Sequence, residues 1–163
     1  FGMPGEDFTN EIRATKVYKG ASFARLYQYD ELDGVMLLER LEPGYMLSEV
    51  ESEEQLIHHY IEIWKALRRP VKTSFPSMKS WFDGLQVYLE KYSKDDSLIP
   101  HMLVKNAQCY AQELFETTAG EELLHGDLHH YNILYDEERG WCAIDPKGVI
   151  GDSYFDFVAF DMD

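Results

Sequence analysis

The chain has 163 residues, 45% of them hydrophobic, which is enough for one core of ordinary size. Its 30 acidic residues against 15 Lys and Arg give a net charge of −15, which argues against nucleic acid as a partner because neutralising phosphates requires clustered cations. No apolar run approaches the ~18 residues of a membrane span and no secretion signal is visible, so we expect no membrane contact and a cytoplasmic location, with Cys109 and Cys142 as reduced thiols.

The N-terminal part of the chain predicts one helix followed by two strands. In chain order, the predicted segments are a loop over residues 1–10, a helix over Glu11–Lys19 that stops at Gly20, strands over Phe23–Tyr29 and Val35–Leu41, and a break at Pro43-Gly44. Asp33-Gly34 suits the turn of a hairpin, so we expect the two strands to pair with each other.

Three helices are predicted in the central part of the chain. The first follows Ser52, which fits a capping box with Gln55, and it ends before Pro70. After a loop over 70–77, the second is predicted over about 78–92 and the third from Pro100 to Gly120. The expected buried stripes are Leu56, Tyr60, Ile63 and Leu67 in the first helix, widened by Ile57, Ile61 and Trp64, then Trp81, Leu85, Tyr88 and Leu89 in the second, and Leu103, Ala107, Tyr110 and Leu114 in the third.

Beyond Gly120 the apolar periodicity changes from helical to strand-like. Asn132–Tyr135 and Trp141–Asp145 predict a second hairpin, which is joined by a turn over Asp136–Gly140. Because strands and helices are segregated along the chain rather than alternating, the pattern favours an α+β fold.

Three polar residues around this second hairpin point to phosphoryl transfer. Asp127 and Asn132 lie just before its first strand and Asp145 ends its second strand, so the hairpin would bring Asn132 and Asp145 to the same end. One amide oxygen and one carboxylate, with phosphate oxygens and water, form a usual magnesium site. Asp127 would then accept the proton of an attacking hydroxyl and hold its oxygen in line with the phosphate.

Three blocks of sequence resemble those of a known family. His125–Asn132, which reads HGDLHHYN, resembles the catalytic loop of aminoglycoside phosphotransferases and related small-molecule kinases. Ile144–Gly148 is similar to the metal-binding segment of the streptomycin and hydroxyurea phosphotransferase branch, and Leu37–Gly44 resembles its hinge. The resemblance implies a protein-kinase-like fold, with part of the N-terminal lobe and the hinge in residues 1–41 and part of the helical C-terminal lobe, including the catalytic hairpin, in residues 42–163.

The resemblance also implies an activity, which is transfer of the γ-phosphate of ATP or GTP to a hydroxyl group of a small molecule. By resemblance, Asp127 is the catalytic base, and Asn132 and Asp145 are the ligands of Mg²⁺. The leading acceptors are aminoglycosides such as streptomycin, and the acidic balance of the chain suits a cationic acceptor.

At the hinge, the family resemblance implies that the backbone of Glu39, Arg40 and Leu41 hydrogen-bonds the nucleotide base. Glu11 would be the helix glutamate that pairs with a phosphate-binding lysine located before residue 1. The glycine-rich loop that grips the ATP phosphates has no counterpart in the sequence, which begins at Phe1 rather than Met, so we expect the chain to be truncated at both ends relative to the family.

Five further residues are expected to support the site. His125 would order the catalytic loop from below, and Asp156 would brace the same loop, as a family aspartate does. His129 either approaches the acceptor or phosphates or orders the loop. Lys147 either contacts phosphate or pairs with an acid. Asp152 either faces a cationic acceptor or forms a turn.

Two other classes of function remain open at the level of sequence. His125, His129 and His130 lie beside Asp127 at spacings that zinc or manganese ligands use, which allows a metal-dependent hydrolase. Without the phosphate-gripping segment, the chain could also be a nucleotide-independent binding module or a pseudokinase fragment.

Overall fold

The computed structural model describes residues 2–70, 74–92, 98–118 and 120–161. Within them the helices are α1 (Glu6–Tyr18), α2 (Glu53–Leu67), α3 (Lys79–Lys91), α4 (His101–Thr117) and α5 (Asp156–Asp161). The strands are β1 (Leu26–Asp30), β2 (Val35–Leu38), β3 (Pro43–Met46), β4 (Glu122–Leu124), β5 (Ile133–Asp136), β6 (Gly140–Ala143) and β7 (Val149–Gly151). The predicted α+β organisation is confirmed, because the strands form small antiparallel sheets apart from the helices.

Helix α1 is longer than the sequence pattern predicts. It begins at Glu6, so the prediction of a loop over residues 1–10 is wrong for the last five of them. Acidic Glu6 and Asp7 in the first turn suit the positive end of the helix dipole. The helix ends where Lys19 adopts a left-handed conformation (φ 52°) and its backbone N–H donates to Thr15 O.

The first hairpin is confirmed, although both strands are shorter than predicted. β1 and β2 are antiparallel, with Asp30 opposite Val35 at the turn end. The Asp30 carboxylate accepts hydrogen bonds from the backbone amides of Leu32 and Asp33 at 2.9 and 3.1 Å, which fixes the turn.

The predicted break at Pro43-Gly44 is instead the start of a strand. β3 pairs with β5, with Pro43 opposite Asp136 and Met46 opposite Leu134. A proline is tolerated as the first residue of an edge strand, where its missing N–H interrupts no ladder bond. The three strands follow the spatial order β3-β5-β6, so the segment after the hinge adds to the catalytic hairpin.

Helix α2 is confirmed and packs into the main core. Ser52 caps it by accepting a hydrogen bond from Gln55 N at 3.4 Å. Two of its aromatic side chains also make polar contacts: the Tyr60 hydroxyl donates to Asp156 O at 2.7 Å and Trp64 Nε1 donates to Ser153 O at 2.8 Å. The helix therefore anchors the segment around α5.

The predicted buried stripe of α4 is wrong, and that of α3 is wrong at Trp81, whereas Leu85, Tyr88 and Leu89 are partly buried. Trp81 of α3 is 43% exposed, and the helix contributes no residue to the buried core among those described. In α4 the predicted Leu103, Tyr110 and Leu114 are 59%, 65% and 67% exposed. The helix has apolar residues on two faces, and the face that contains Val104 and Ala111 is the one that is buried.

Parts of three predicted segments lie outside the described residues, namely Phe1 of the predicted N-terminal loop, 71–73 of the predicted central loop and Ala119 near the predicted end of the third helix. Within the described ranges, no helix combines the length and the apolar character needed to cross a bilayer.

The C-terminal part places the second hairpin in the core. β5 and β6 are antiparallel, with Ile133 opposite Ala143, as the sequence predicts. Strands β4 and β7, which the sequence does not predict, form a short antiparallel pair. The catalytic loop and the second hairpin lie between these two strands in the chain. The main core combines residues from α1, α2, the loops and the hairpin, including Tyr18, Phe23, Leu47, Tyr60, Leu128, Ile133 and Cys142.

Candidate active site

The catalytic loop connects β4 to β5 and is held by its own backbone. His129 N donates to Asp127 O at 3.0 Å, and Asn132 N donates to His129 O at 2.9 Å. The Asn132 side chain closes the loop, since Nδ2 donates to Asp127 O at 3.0 Å. Leu128 is buried in the core and anchors the loop. Asp127 and Asn132 therefore have fixed relative positions.

The second hairpin brings Asp145 to the same end as Asn132. Ile144 N donates to Asn132 O at 3.0 Å, directly beyond the Ile133–Ala143 pair of the ladder. Asp145 follows with φ 56°, a left-handed conformation that is uncommon for a residue with a side chain. Asp145 is exposed at this position.

The Asp127 carboxylate has two cationic or polar neighbours. Lys147 Nζ lies 3.3 Å from Asp127 Oδ2, and His129 Nε2 lies 3.9 Å from Oδ1. About a third of the Asp127 side chain is exposed (35%), so it remains accessible to a substrate. Lys147 is placed by its backbone, because its N–H donates to His125 O at 2.7 Å.

His125 is fully buried beneath the loop. Its Nε2 donates to Ile144 O at 2.7 Å, which connects the catalytic loop to the strand that precedes Asp145. Burial lowers the pKa of His125 to about 4, so the imidazole is neutral at pH 7. A neutral, buried side chain of this kind orders the loop.

Asp156, the first residue of α5, braces the loop from the other side. Its Oδ1 accepts from Gly126 N at 2.8 Å and its Oδ2 accepts from His125 N at 3.2 Å. The carboxyl is almost completely buried, and this burial raises its pKa to about 6 despite the two hydrogen bonds.

Glu11 projects from α1 toward the end of the hairpin. Burial raises the pKa of its carboxyl, the negative charge of Asp145 raises it further, and the positive charge of Lys147 lowers it. Glu11 and Lys147 line the same cleft. The backbone approach is close: a Cβ at Gly148, where φ is +66°, would lie 2.7 Å from Asn10 O.

A cleft of about 680 Å³ lies between α1, the start of α3 and the segment that follows Asp145. Its polar and aromatic lining includes Glu6, Asp7, Glu11, Ser80, Trp81 and Lys147. Lys147 is shared between this cleft and Asp127, so the cleft adjoins the candidate base.

Sequence reasoning missed Glu6, Asp7 and Trp81 as lining residues. The spacing of Asp7 and Glu11 would reveal a common helix face only if the helix were extended to Glu6. The sequence pattern places Trp81 in a buried stripe, which its exposure contradicts.

At the hinge, the Glu39 side chain is committed to two arginines. Its carboxylate accepts from Arg25 Nη1 at 3.1 Å and from Arg139 Nη1 in a short ion pair. Arg40 pairs with Glu42 at 3.0 Å. Within the described ranges, the backbone amides of Arg40 and Leu41 donate to no other group.

Asp152 has a local structural role. Its Oδ1 accepts from Tyr154 N at 3.0 Å, and its Oδ2 accepts from the Thr118 hydroxyl at 3.4 Å. The carboxylate thus caps the turn over Ser153–Phe155, in agreement with the turn alternative of the two that the sequence left open.

The three histidines of the catalytic loop do not gather around a common point. Nowhere in the described parts of the chain do three His, Cys, Asp or Glu side chains form a group that could hold a metal ion. His125 is turned to Ile144 and His130 stacks near Tyr131, with ring centroids 4.7 Å apart. The described residues therefore lack the cluster that the metal-dependent hydrolase alternative needs.

Comparison with known proteins gives matches over most of the chain. Residues 4–163 match the family model described as aminoglycoside/hydroxyurea antibiotic resistance kinase. Streptomycin 6-kinase of Streptomyces griseus is 29% identical, over 94% of this chain and 50% of that protein. Hydroxyurea phosphotransferase of Kitasatospora aureofaciens is 28% identical, over 96% of this chain and 47% of that protein. The chain thus spans about half the length of these curated relatives.

Solved structures of similar shape are also kinases. Choline kinase LicA from Streptococcus pneumoniae superposes with a TM-score of 0.69 at 16% identity, covering 98% of this chain and 58% of that chain. An ethanolamine kinase of Plasmodium vivax gives a TM-score of 0.56, also at 16% identity, over 94% of this chain and 50% of that chain. These likenesses confirm the predicted protein-kinase-like fold.

Proposed function

This chain belongs to the aminoglycoside/hydroxyurea antibiotic resistance kinase family, as its motifs predict, and on that premise we propose that it transfers the γ-phosphate of ATP or GTP to a hydroxyl group of a small molecule. The observation that carries the proposal is the pair of hydrogen bonds made by Asn132. Its side chain holds Asp127 O and its carbonyl holds Ile144 N, so one residue links the candidate base to the segment that leads to Asp145.

Asp127 is the proposed catalytic base. Its carboxylate accepts the hydroxyl proton of the acceptor and orients the attacking oxygen toward the phosphate. The partly exposed carboxylate and its rigid loop support this role. Lys147, whose Nζ lies 3.3 Å from Asp127 Oδ2, is proposed to lie close to the transferred phosphate.

Asn132 and Asp145 are the proposed ligands of Mg²⁺. Both offer hard oxygen atoms, which Mg²⁺ prefers, and a site with two protein ligands leaves positions for phosphate oxygens and water. The exposure of Asp145, at the same end of the hairpin as Asn132, supports this role. When bound, the metal neutralises charge on the phosphates.

The nucleotide base is proposed to contact the backbone between Glu39 and Leu41. The unengaged amides of Arg40 and Leu41 support this placement. The Glu39 side chain is held by Arg25 and Arg139, so it orders the hinge instead of facing the base. Because peptide groups would make the contact, the hinge side chains do not select between ATP and GTP.

The cleft beside Lys147 is the proposed acceptor site. Its carboxylates, Glu6, Asp7 and Glu11, suit a cationic acceptor of the aminoglycoside type, and Trp81 offers an aromatic surface. Streptomycin is the acceptor in the name of one relative and hydroxyurea in that of another. We place the cationic aminoglycoside first because the whole chain carries a net charge of −15.

Replacement of Asp127 tests the proposal. ADP release is measured with Mg·ATP and a panel containing streptomycin and hydroxyurea, for the parent chain and for Asp127→Asn. Loss of the base should lower the rate by about 100-fold or more with little loss of stability, because the side-chain shape is kept.

Asp33→Asn serves as the matched control, since Asp33 is an exposed acid in the turn of the first hairpin. It should keep the parent rate. The proposal is wrong for this chain if the parent releases no ADP with any acceptor, or if Asp127→Asn reacts as fast as the parent.

A further inference from the structure

A second cavity lies on a different part of the molecule from the candidate active site. It has a volume of about 620 Å³ and is bounded by β3, the second hairpin and the first turns of α2. None of its lining residues lines the cleft beside Lys147. The lining residues that matter for its chemistry are Tyr45, Glu49, Gln55, His59, Tyr135 and Trp141.

The cavity is walled by aromatic rings whose positions follow from the sheet. Tyr135 and Trp141 are opposite each other in the β5–β6 ladder, so their side chains lie on the same face of the hairpin. Their ring centroids are 5.3 Å apart at an interplanar angle of 65°. The His59 ring from α2 lies 5.5 Å from Trp141. Tyr45 of β3 remains 58% exposed at the same cavity.

The polar groups of the cavity favour a cation over an anion. Glu49 contributes a carboxylate whose Oε1 accepts from Met46 N at 2.9 Å, while Oε2 has no partner within the described ranges. No Lys or Arg lines the cavity. Burial and the neighbouring His58 lower the pKa of His59, which disfavours a positive charge on this ring.

We propose that this aromatic cavity binds a quaternary alkylammonium group. Ring faces attract a cation through their quadrupoles, and Glu49 adds one negative charge at the rim. A guanidinium fits less well because its five N–H donors need several acceptors in one plane, whereas the cavity offers one carboxylate and the Gln55 amide. A quaternary ammonium has no N–H donor that needs an acceptor. It requires only the aromatic ring faces and the negative charge of Glu49.

Isothermal titration calorimetry with tetramethylammonium chloride tests the site. Total chloride is kept constant with NaCl, because the acidic surface attracts any cation weakly. We expect saturable binding to the parent chain, with tert-butanol, an uncharged molecule of similar size, and guanidinium binding more weakly. Equal or tighter binding of either competitor would overturn the assigned ligand class.

Two variants locate the binding. Trp141→Leu keeps an apolar side chain but removes the largest ring face, and it should weaken tetramethylammonium binding by about tenfold. Glu49→Gln keeps the shape of an exposed side chain and should weaken binding about two- to fivefold through the lost charge. Because Glu49 is exposed, this second variant tests the site even if Trp141→Leu does not fold.

Tyr110→Leu is the matched control, since Tyr110 is an exposed aromatic residue of α4 that lines neither cavity. It should bind tetramethylammonium as the parent does. The proposal is wrong if the parent shows no saturable binding, if Glu49→Gln and Trp141→Leu both bind as tightly as the parent, or if Tyr110→Leu alone loses binding.

Discussion

At the scale of single residues, two buried titratable groups beneath the catalytic loop have opposite pKa shifts. Burial raises the pKa of Asp156 from 3.8 to about 6 and lowers that of His125 from 6.5 to about 4. The two groups are joined, since Asp156 accepts a hydrogen bond from the backbone of His125. Their contributions to stability therefore respond to pH in opposite directions over the same range.

The sign of each contribution follows from proton linkage. The folded-state pKa of Asp156 is raised, so its contribution is present below about pH 4 and is lost as the pH rises through about 6. The folded-state pKa of His125 is depressed, so its contribution is present above pH 6.5 and is lost as the pH falls through about 4. In the parent chain, the pH-dependent contributions of Asp156 and His125 to the free energy of unfolding partly cancel.

Asp156→Asn should reveal the histidine contribution alone. The free energy of unfolding of this variant should rise with pH between about 4 and 6.5 more steeply than that of the parent, by a total difference of roughly 3 kcal/mol. Urea unfolding at a series of pH values measures both slopes. Asp33→Asn, in an exposed turn, should follow the parent, and equal slopes for Asp156→Asn and the parent would contradict the assigned burial.

At the scale of elements, helix α1 is positioned by a close backbone contact with the segment after Asp145. Gly148 has φ +66°, and a Cβ there would lie 2.7 Å from Asn10 O and 3.0 Å from the Ala14 side chain. The contact places the helix face that carries Glu11 against the end of the catalytic hairpin. A side chain at residue 148 would push the two elements apart.

Gly148→Ala should therefore lower the free energy of unfolding by about 2–4 kcal/mol, because the left-handed conformation and the contact with Asn10 are both unfavourable for alanine. Gly84→Ala is the matched control in helix α3, where an added Cβ meets nothing within 4 Å. It should stabilise the chain by roughly 0.5–1 kcal/mol through helix propensity. Urea unfolding of both variants provides the comparison, and a Gly148→Ala chain as stable as the parent would contradict the contact.

Local contacts explain which elements the sequence predicts well. The catalytic loop is predictable because Asn132 and Asp127 are only five residues apart and their bond depends on that spacing. Strand β3 is not predictable from the sequence, because Asp136, which pairs with Pro43, lies far along the chain. The local sequence at Pro43 indicates a break. In α4, periodicity identifies the helix but cannot decide which of two apolar faces is buried, since that depends on the packing of Phe115 against Phe82 of α3.

At the scale of the whole molecule, the net charge of −15 acts on any charged ligand that approaches. The candidate acceptor cleft also carries acidic side chains, because it is lined by Glu6, Asp7 and Glu11. The named relatives differ in the charge of their acceptors, since streptomycin is cationic and hydroxyurea is neutral at pH 7. The response of binding to salt therefore separates the two acceptor classes.

Streptomycin should bind about five- to tenfold more weakly at 150 mM than at 10 mM NaCl, because the screening length falls from about 30 Å to about 8 Å. The dissociation constant of hydroxyurea should change by less than about twofold. Calorimetric titrations at both salt concentrations measure the difference. An equal salt response of the two compounds, or binding of hydroxyurea alone, would contradict the preference for a cationic acceptor.

The pairing of Glu39 with Arg139 has a mechanical consequence. Arg139 lies in the turn between β5 and β6, and its guanidinium also donates to the carbonyls of Gly20 and Phe23, the latter at 3.0 Å. One side chain thus ties the hinge and the end of α1 to the catalytic hairpin. A displacement of the first hairpin would therefore be transmitted through Glu39 and Arg139 to β5, the strand that follows Asn132.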